Sequence, residues 1–225
     1  KDLINKYIFF IFMILFLDVI SPVPKFVILD NNKVIKSLHI LDYNSSKISD
    51  NIQNKFLILL KKNNLLDLLK YLIVCTGPGS YTSLRVGISF MFGISYSKNI
   101  PLYGISCTEL LCQFIMPKDF YETFVIICSS NNQNYIFLPV DHKNYHYKIL
   151  KINDKQTFDN INLKLYSKCI SNYNLPNFLN KEISFTIKKI EYINFEDKLY
   201  EKFLTFSNTE TVLQPIYISD NKLFD

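Results

Sequence analysis

The sequence predicts an α/β protein of two lobes, each built on a mixed sheet flanked by helices. Three observations carry this expectation. The chain opens with three β-like segments joined by short turns, continues through a strand–helix–strand crossover, and then shows a second half whose weaker segments look like a degraded repeat of the first. At 225 residues it is long enough to bury a core in one domain or two closely coupled lobes. Its 48% hydrophobic and 15% aromatic composition places it among globular rather than disordered or fibrous proteins.

Residues 14–19, 25–29 and 33–39 read as a β-meander, the last two joined by Asp30-Asn31-Asn32, a tight-turn composition. Behind Ser49, the residues Ile52, Phe56, Leu59 and Leu60 recur at helical spacing. Lys61 and Lys62 fall in the last turn of that helix, where they oppose its dipole. A short apolar run at 71–75, a Gly-Pro-Gly-Ser turn, a long helix to Ser97 and a second apolar run at 101–105 make parallel strands joined by a crossover helix. Residues 107–116 continue as a helix that Pro117 stops, which places the lobe boundary there. Strands are predicted at 124–128 and near 134–140 and 145–149, then mixed weak segments and a helix over 195–206. No repeat with a period of 20–50 residues is visible, which argues against a solenoid or a propeller.

The abundance of Asn, Ile, Lys, Phe and Tyr and the absence of Ala reflect codon bias more than chemistry. A formal net charge of +5 permits a polyanionic partner, but the lysines are scattered, as on a solvated surface. Five cysteines at 75, 107, 112, 128 and 169 form no C-x-x-C pair and suit reduced, buried thiols in a cytoplasm. The apolar run at 7–17 sits behind Lys1 and Lys6 like a signal peptide's hydrophobic region. It is shorter than the roughly 20 residues that span a bilayer, and it runs into Asp18 without a small-residue cleavage site. A buried first strand is expected instead.

The most informative stretch runs Cys75-Thr76-Gly77-Pro78-Gly79-Ser80-Tyr81-Thr82-Ser83-Leu84-Arg85-Val86-Gly87-Ile88. Gly77 and Gly79 permit positive φ and close backbone approach, Pro78 fixes the turn, and Ser80 is a good N-cap for the helix that begins at Tyr81. The N–H groups of such a helix start can bind phosphate. The sequence lacks the Lys-Ser/Thr of a P-loop and the spacing of a dinucleotide fingerprint, so a purely structural turn stays open. The helix itself reads as apolar all round, with Ser83, Gly87, Phe90 and Ile94 on one side and Ile88, Phe92 and Tyr96 opposite. A helix without a wet face is covered twice, once by its own sheet and once by a neighbouring helix or a partner protein. Ser89 and Gly93, four residues apart, would allow a close helix crossing.

At this point a family resemblance emerges. The segment GPGSYTSLRVGISFMFGISYSKNIPLYGISCTELL resembles the GPGSFTGLRIG region of TsaB (YeaZ) proteins through the following strand and helix. The opening MILFLDVISPVPKFVILDNNKVI is similar to that family's first strand and hairpin, and Gln214-Pro215-Ile216-Tyr217-Ile218 resembles its closing Pro-x-Tyr-Leu segment. On this basis residues 13–117 with 214–225 are expected to form the first lobe and 118–213 a diverged second lobe. Residues 1–12 are expected to be an extension ahead of Met13.

The resemblance implies the actin-like ATPase (ASKHA, ribonuclease-H-like) fold and a non-catalytic scaffold subunit of the tRNA N6-threonylcarbamoyladenosine modification complex. Its implied partners are a TsaD-like catalytic subunit, met in a joint helical bundle, and a TsaE-like ATPase that docks on the pair. The tRNA is reached indirectly through the complex, a homodimer of the lone chain stays open, and no membrane is involved. The partner interface is expected at Ser80, Tyr81, Arg85, Ile88, Ser89, Phe92, Gly93 and Tyr96. Asp18, Gly77 and Gly79 mark a vestigial nucleotide site, with no catalytic residue, metal or cofactor. Several positions depart from the family pattern. Val19 and Ile20 stand where TsaB proteins have Thr and Ser, Ser83 replaces a Gly, Ser130-Asn131-Asn132 replaces Asp-Ala-Arg, and Ser219 replaces an Arg.

Two other classes compete. An actin-like sugar kinase or ATPase, or a glycoprotease-like enzyme, would need hydroxyl-bearing phosphate loops and a catalytic Asp, yet Val19 and Ile20 remove the hydroxyls after Asp18. An exported binding protein would rest on the run at 7–17 alone. His39, His142 and His146 form no H-x-x-x-H pair on a helix, and no cysteine joins them at metal spacing.

Overall fold

The computed structural model describes residues 13–30, 33–41, 47–61, 65–111, 113–130, 133–144, 146–152, 158, 161–187, 189–204 and 213–218. The expected extension at 1–12 lies outside them, as do Cys112, Asn131, Asn132 and Ser219.

The first sheet holds β1 (Met13–Asp18), β2 (Lys25–Asp30), β3 (Lys33–His39), β4 (Leu69–Gly77) and β5 (Leu102–Ser106), in the order β3-β2-β1-β4-β5. The second holds β6 (Thr123–Cys128), β7 (Asn134–Asp141), β8 (His146–Ile152), β9 (Lys168–Ser171) and β10 (Lys189–Tyr192), in the order β8-β7-β6-β9-β10. The two sheets repeat one plan. In each, the first strand is central, pairs antiparallel with the second and parallel with the fourth, and the fourth pairs parallel with the fifth. The central strands MILFLD and TFVIIC are buried at every position, as befits strands covered on both faces. Alternation within β6 divides its residues between two cores. Val125 and Ile127 join the large core that also holds Leu15 and Leu84, whereas Phe124, Ile126 and Cys128 face Leu179 and Ile183.

Helices α1 (Ile48–Leu60) and α3 (Tyr81–Lys98) meet over the first sheet. Their contact is a triangle of Phe26, Phe56 and Phe90, with ring centroids 5.7, 6.0 and 5.3 Å apart. A short α2 (Leu65–Leu68) leads into β4, and α4 (Cys107–Leu111) follows β5. In the second half, α5 (Asn177–Thr186) covers the second sheet with Leu179 and Ile183. After a 3-10 turn at Phe195–Lys198, α6 (Leu199–Phe203) returns to the first sheet, where Phe203 lies 4.7 Å from Tyr71 and 6.0 Å from Tyr103.

Several local expectations are corrected. The first helix starts at Ile48 with Lys47 as its cap, so Ser49 lies inside the first turn and its hydroxyl bonds Asp50. The helix expected over 107–116 ends at Leu111, well before Pro117. The helix expected over 195–206 divides into the 3-10 turn and α6, because Asn194 and Asp197 form a capping box that fixes the tighter turn. Helix α3 buries Ser83, Leu84, Gly87, Met91 and Ile94 while its opposite side faces outward, so the chain itself supplies one of the two covers expected for it.

Candidate functional site

The Gly-Pro-Gly-Ser turn lies where β4 hands over to α3, and all four of its residues are buried. Gly77 has φ +121°, and a Cβ there would meet the Ile216 carbonyl oxygen at 2.6 Å. That approach comes from the C-terminal segment, whose Ile216 N–H donates to the Thr76 carbonyl at 2.7 Å. Gly79 does not need positive φ; it admits Ile20 and the Ser129 hydroxyl, which a Cβ would meet at 3.3 and 3.6 Å. Ser80 caps α3 by position, but its side chain makes no capping bond. Its N–H donates instead to Ser129 Oγ across the cleft at 3.3 Å.

Asp18 ends the central strand of the first sheet and is 1% exposed. Its Oδ1 accepts from the N–H groups of Ile20 (2.9 Å) and Ser21 (3.0 Å), and its Oδ2 from the Ser21 hydroxyl (2.6 Å). Burial raises its pKa above the usual carboxylate value, and the bonds from Ser21 and Ile20 oppose that rise. The second sheet meets this turn with Ser130, whose N–H donates to the Ile20 carbonyl at 2.9 Å and whose hydroxyl lies 3.2 Å from that of Ser83. Of the positions expected to mark a nucleotide site, Gly79 and the Asp18 turn face the second lobe, whereas Gly77 faces the C-terminal segment at Ile216. The carboxylate is engaged by its own turn, and the space beside each glycine is filled by protein.

Two cavities flank this seam. One of about 320 Å3 is lined by Asp18, Lys25, His39, Asn172 and Tyr173, and one of about 470 Å3 by Lys47, Ser49, Thr82, Ser129 and Ser130. Lys25 is paired with Glu196 at 2.5 Å. The histidines are dispersed: His39 ends β3, His142 sits in the β7–β8 turn and His146 begins β8. Among the described residues, no group of His, Cys, Asp or Glu could hold a metal ion. Cys75, Cys107, Cys128 and Cys169 are free and buried. Burial pushes the Cys128 thiol up to about 11 and raises those of Cys75, Cys107 and Cys169 as well, which keeps them protonated and poorly nucleophilic.

The outward side of α3 presents Tyr81, Arg85, Ser89, Phe92, Gly93 and Tyr96, with Ile88 half-buried beside them; Ser80 alone of the expected interface residues is buried. Tyr96 is 85% exposed, Phe92 56% and Tyr81 54%, large apolar areas for a single helix side. Nothing lies within 4 Å of where a Gly93 Cβ would be. At the N-terminal end the Arg85 guanidinium lies 5.0 Å from the Tyr81 ring centre and donates to its hydroxyl, and the Tyr217 ring lies 4.7 Å from that of Tyr81, tilted by 37°.

Reading the sequence alone missed Ser129, Tyr135 and Asn172, which supply the second lobe's side of the seam. Tyr135 donates to the Gly79 carbonyl at 3.4 Å, and Asn172 donates to Ser21 Oγ at 3.2 Å. The available signal was positional: Ser129 and Asn172 directly follow the apolar runs of β6 and β9, where strand ends meet the cleft.

YeaZ from Pseudomonas aeruginosa superposes with a TM-score of 0.55 at 12% identity, covering 92% of this chain and 100% of that one. A second Pseudomonas aeruginosa structure, an uncharacterized protein with similarity to peptidase YeaZ, gives 0.58 at 13% identity with the same coverage. A Bacteroides thetaiotaomicron protein with an actin-like ATPase fold and unknown function gives 0.51 at 10% identity, covering 87% of this chain and 96% of that one. These likenesses establish the actin-like ATPase fold. No curated protein matches the chain. The family described as "TsaD: tRNA N6-adenosine threonylcarbamoyltransferase" matches residues 45–216, from α1 through the second lobe to the C-terminal segment. With that span matched and the YeaZ-like architecture in place, as the TsaB-type motif anticipates, the chain belongs to the TsaD family.

Proposed function

We propose that the chain is a non-catalytic scaffold subunit of the complex that makes N6-threonylcarbamoyladenosine in tRNA, and that it pairs with a TsaD-type catalytic subunit through the outward side of α3. The observation that carries this reading is the apolar helix side formed by Tyr81, Phe92 and Tyr96, with open space beside Gly93 and Ser89 exposed on the same side. A helix of a partner could approach closely along Ser89 and Gly93 and cover the aromatic rings, burying apolar area that water now touches. The buried, protein-filled state of Asp18, Gly77 and Gly79 supports a subunit that positions rather than reacts. In this reading a TsaE-type ATPase docks on the pair, tRNA is met only through the complex, and the setting is the cytoplasm. No helix among the described residues is long and apolar enough to cross a membrane.

The test is co-expression with the TsaD-type subunit, followed by native mass measurement and an activity assay of each component. The expected result is a stable heterodimer, with no ATP or peptide hydrolysis by this chain alone. Failure to form the pair, or turnover by the isolated chain that Asp18→Asn abolishes, would overturn the reading.

A further inference from the structure

We propose that Asn172 and Ser21 form a built-in lock that holds the two lobes in one arrangement. Asn172 directly follows β9, and its carboxamide is first fixed within its own lobe. Its Oδ1 accepts from the Cys128 N–H at 2.7 Å, and its Nδ2 donates to the Cys128 carbonyl at 3.0 Å. The remaining amide proton is therefore aimed before it meets the other lobe, where it donates to Ser21 Oγ at 3.2 Å. Ser21 passes the chain on by donating to Asp18 Oδ2 at 2.6 Å. One side chain thus ties together the ends of β9, β6 and β1, and all three polar residues are buried.

The direction of the chain matters. Amide donates to hydroxyl, hydroxyl donates to carboxylate, and the carboxylate is held by two backbone N–H groups, so each member has the donor or acceptor role that its neighbour requires. Beside it, the Ser130 N–H bonds the Ile20 carbonyl, closing the same turn onto the second sheet from another side. Parting the lobes would strip several buried polar groups of their partners at once. The lock goes beyond the scaffold reading and does not depend on it, since it is a property of the isolated chain.

Hydrogen exchange on the full chain and on Asn172→Ala and Ser21→Ala tests this. Ser21→Ala removes the inter-lobe bond together with the Ser21–Asp18 bond and leaves both Asn172–Cys128 bonds intact. The amides of Ser130 and Ser80, which donate across the cleft, are expected to exchange about tenfold faster in both variants, while amides within β1 and β6 keep their protection. Unchanged exchange at Ser130 and Ser80 in Ser21→Ala overturns the proposal. Equal acceleration throughout both sheets overturns it as well, because it would mark a general loss of stability. Should Asn172→Ala fail to fold, the Ser21→Ala comparison decides alone.

Discussion

Val19 lies so close to Gly87 that a Cβ on the glycine would meet Val19 Cγ1 at 2.6 Å and Cγ2 at 3.0 Å. This contact seats α3 on the end of β1, and it makes Gly87 a packing residue. Alanine at this position would gain roughly 1 kcal/mol of helix propensity. It would also drive a methyl group into a β-branched side chain with little rotamer freedom, at a cost of about 1–3 kcal/mol. Gly87→Ala is therefore expected to lower stability to urea, and adding Val19→Ala should recover part of the loss. If the double mutant is no more stable than the sum of its single effects predicts, the two residues are not coupled as the distances require.

Gly93, six residues further along the same helix, should behave in the opposite way. Its site is open, so Gly93→Ala should raise stability by about 0.5–1 kcal/mol while leaving the fold unchanged. The same methyl group would hold a partner helix away, so affinity for the TsaD-type subunit should fall. Thermal unfolding and titration calorimetry on one preparation separate the two effects. A variant that gains stability and keeps full affinity would place the helix crossing elsewhere.

The contrast between these glycines explains what the sequence made legible. Helical spacing put Gly87 beside Ser83 and Ile94, and Ser89 and Gly93 on another side, but spacing alone could not say which side was covered within the chain. Phe92 and Tyr96 made the helix read as apolar all round, because an exposed apolar side and a core side share one composition. The first sheet could be read because β1 is an unbroken apolar run up to Asp18 and β2, β3, β4 and β5 each have Pro, Gly or Asn at one end or both. In the second lobe β9 and β10 have only 4 residues each, too few for a period to show, and α5 mixes Asn, Lys and Glu with Leu179 and Ile183. The cleft residues Ser129 and Asn172 were hidden for a different reason. Their roles are set by contacts across the lobes, and no local pattern encodes those.

Asp18 should leave a signature in the pH dependence of stability. Its folded pKa is raised by burial, despite the bonds from Ser21 and Ile20 and the charge of Lys25. Between the unfolded value of about 3.9 and the folded value, the native chain holds more protons than the unfolded one. The contribution of Asp18 is therefore fully present below the unfolded pKa and is lost as pH rises through the folded pKa. Asp18→Asn removes this titration, so the stability of the unmodified chain relative to the variant should decline as pH increases from about 4. Parallel urea-midpoint profiles for the two proteins across that range would show that burial of this carboxylate does not perturb its titration.

Phe92 and Ser89 lie on the outward side of α3, so glutamate at either position would sit in water in the isolated chain and cost little stability. In a helix–helix contact the same charge would be desolvated without a partner, a cost of several kcal/mol and enough to reduce affinity by orders of magnitude. Phe92→Glu and Ser89→Glu are thus expected to keep the circular dichroism and unfolding midpoint of the parent while losing the TsaD-type subunit in titration. Replacing Lys98, exposed at the end of the same helix, by glutamate supplies the control for charge alone. If both folded variants bind the partner with unchanged affinity, the outward side of α3 is not the scaffold surface, whatever else the chain contributes to the complex.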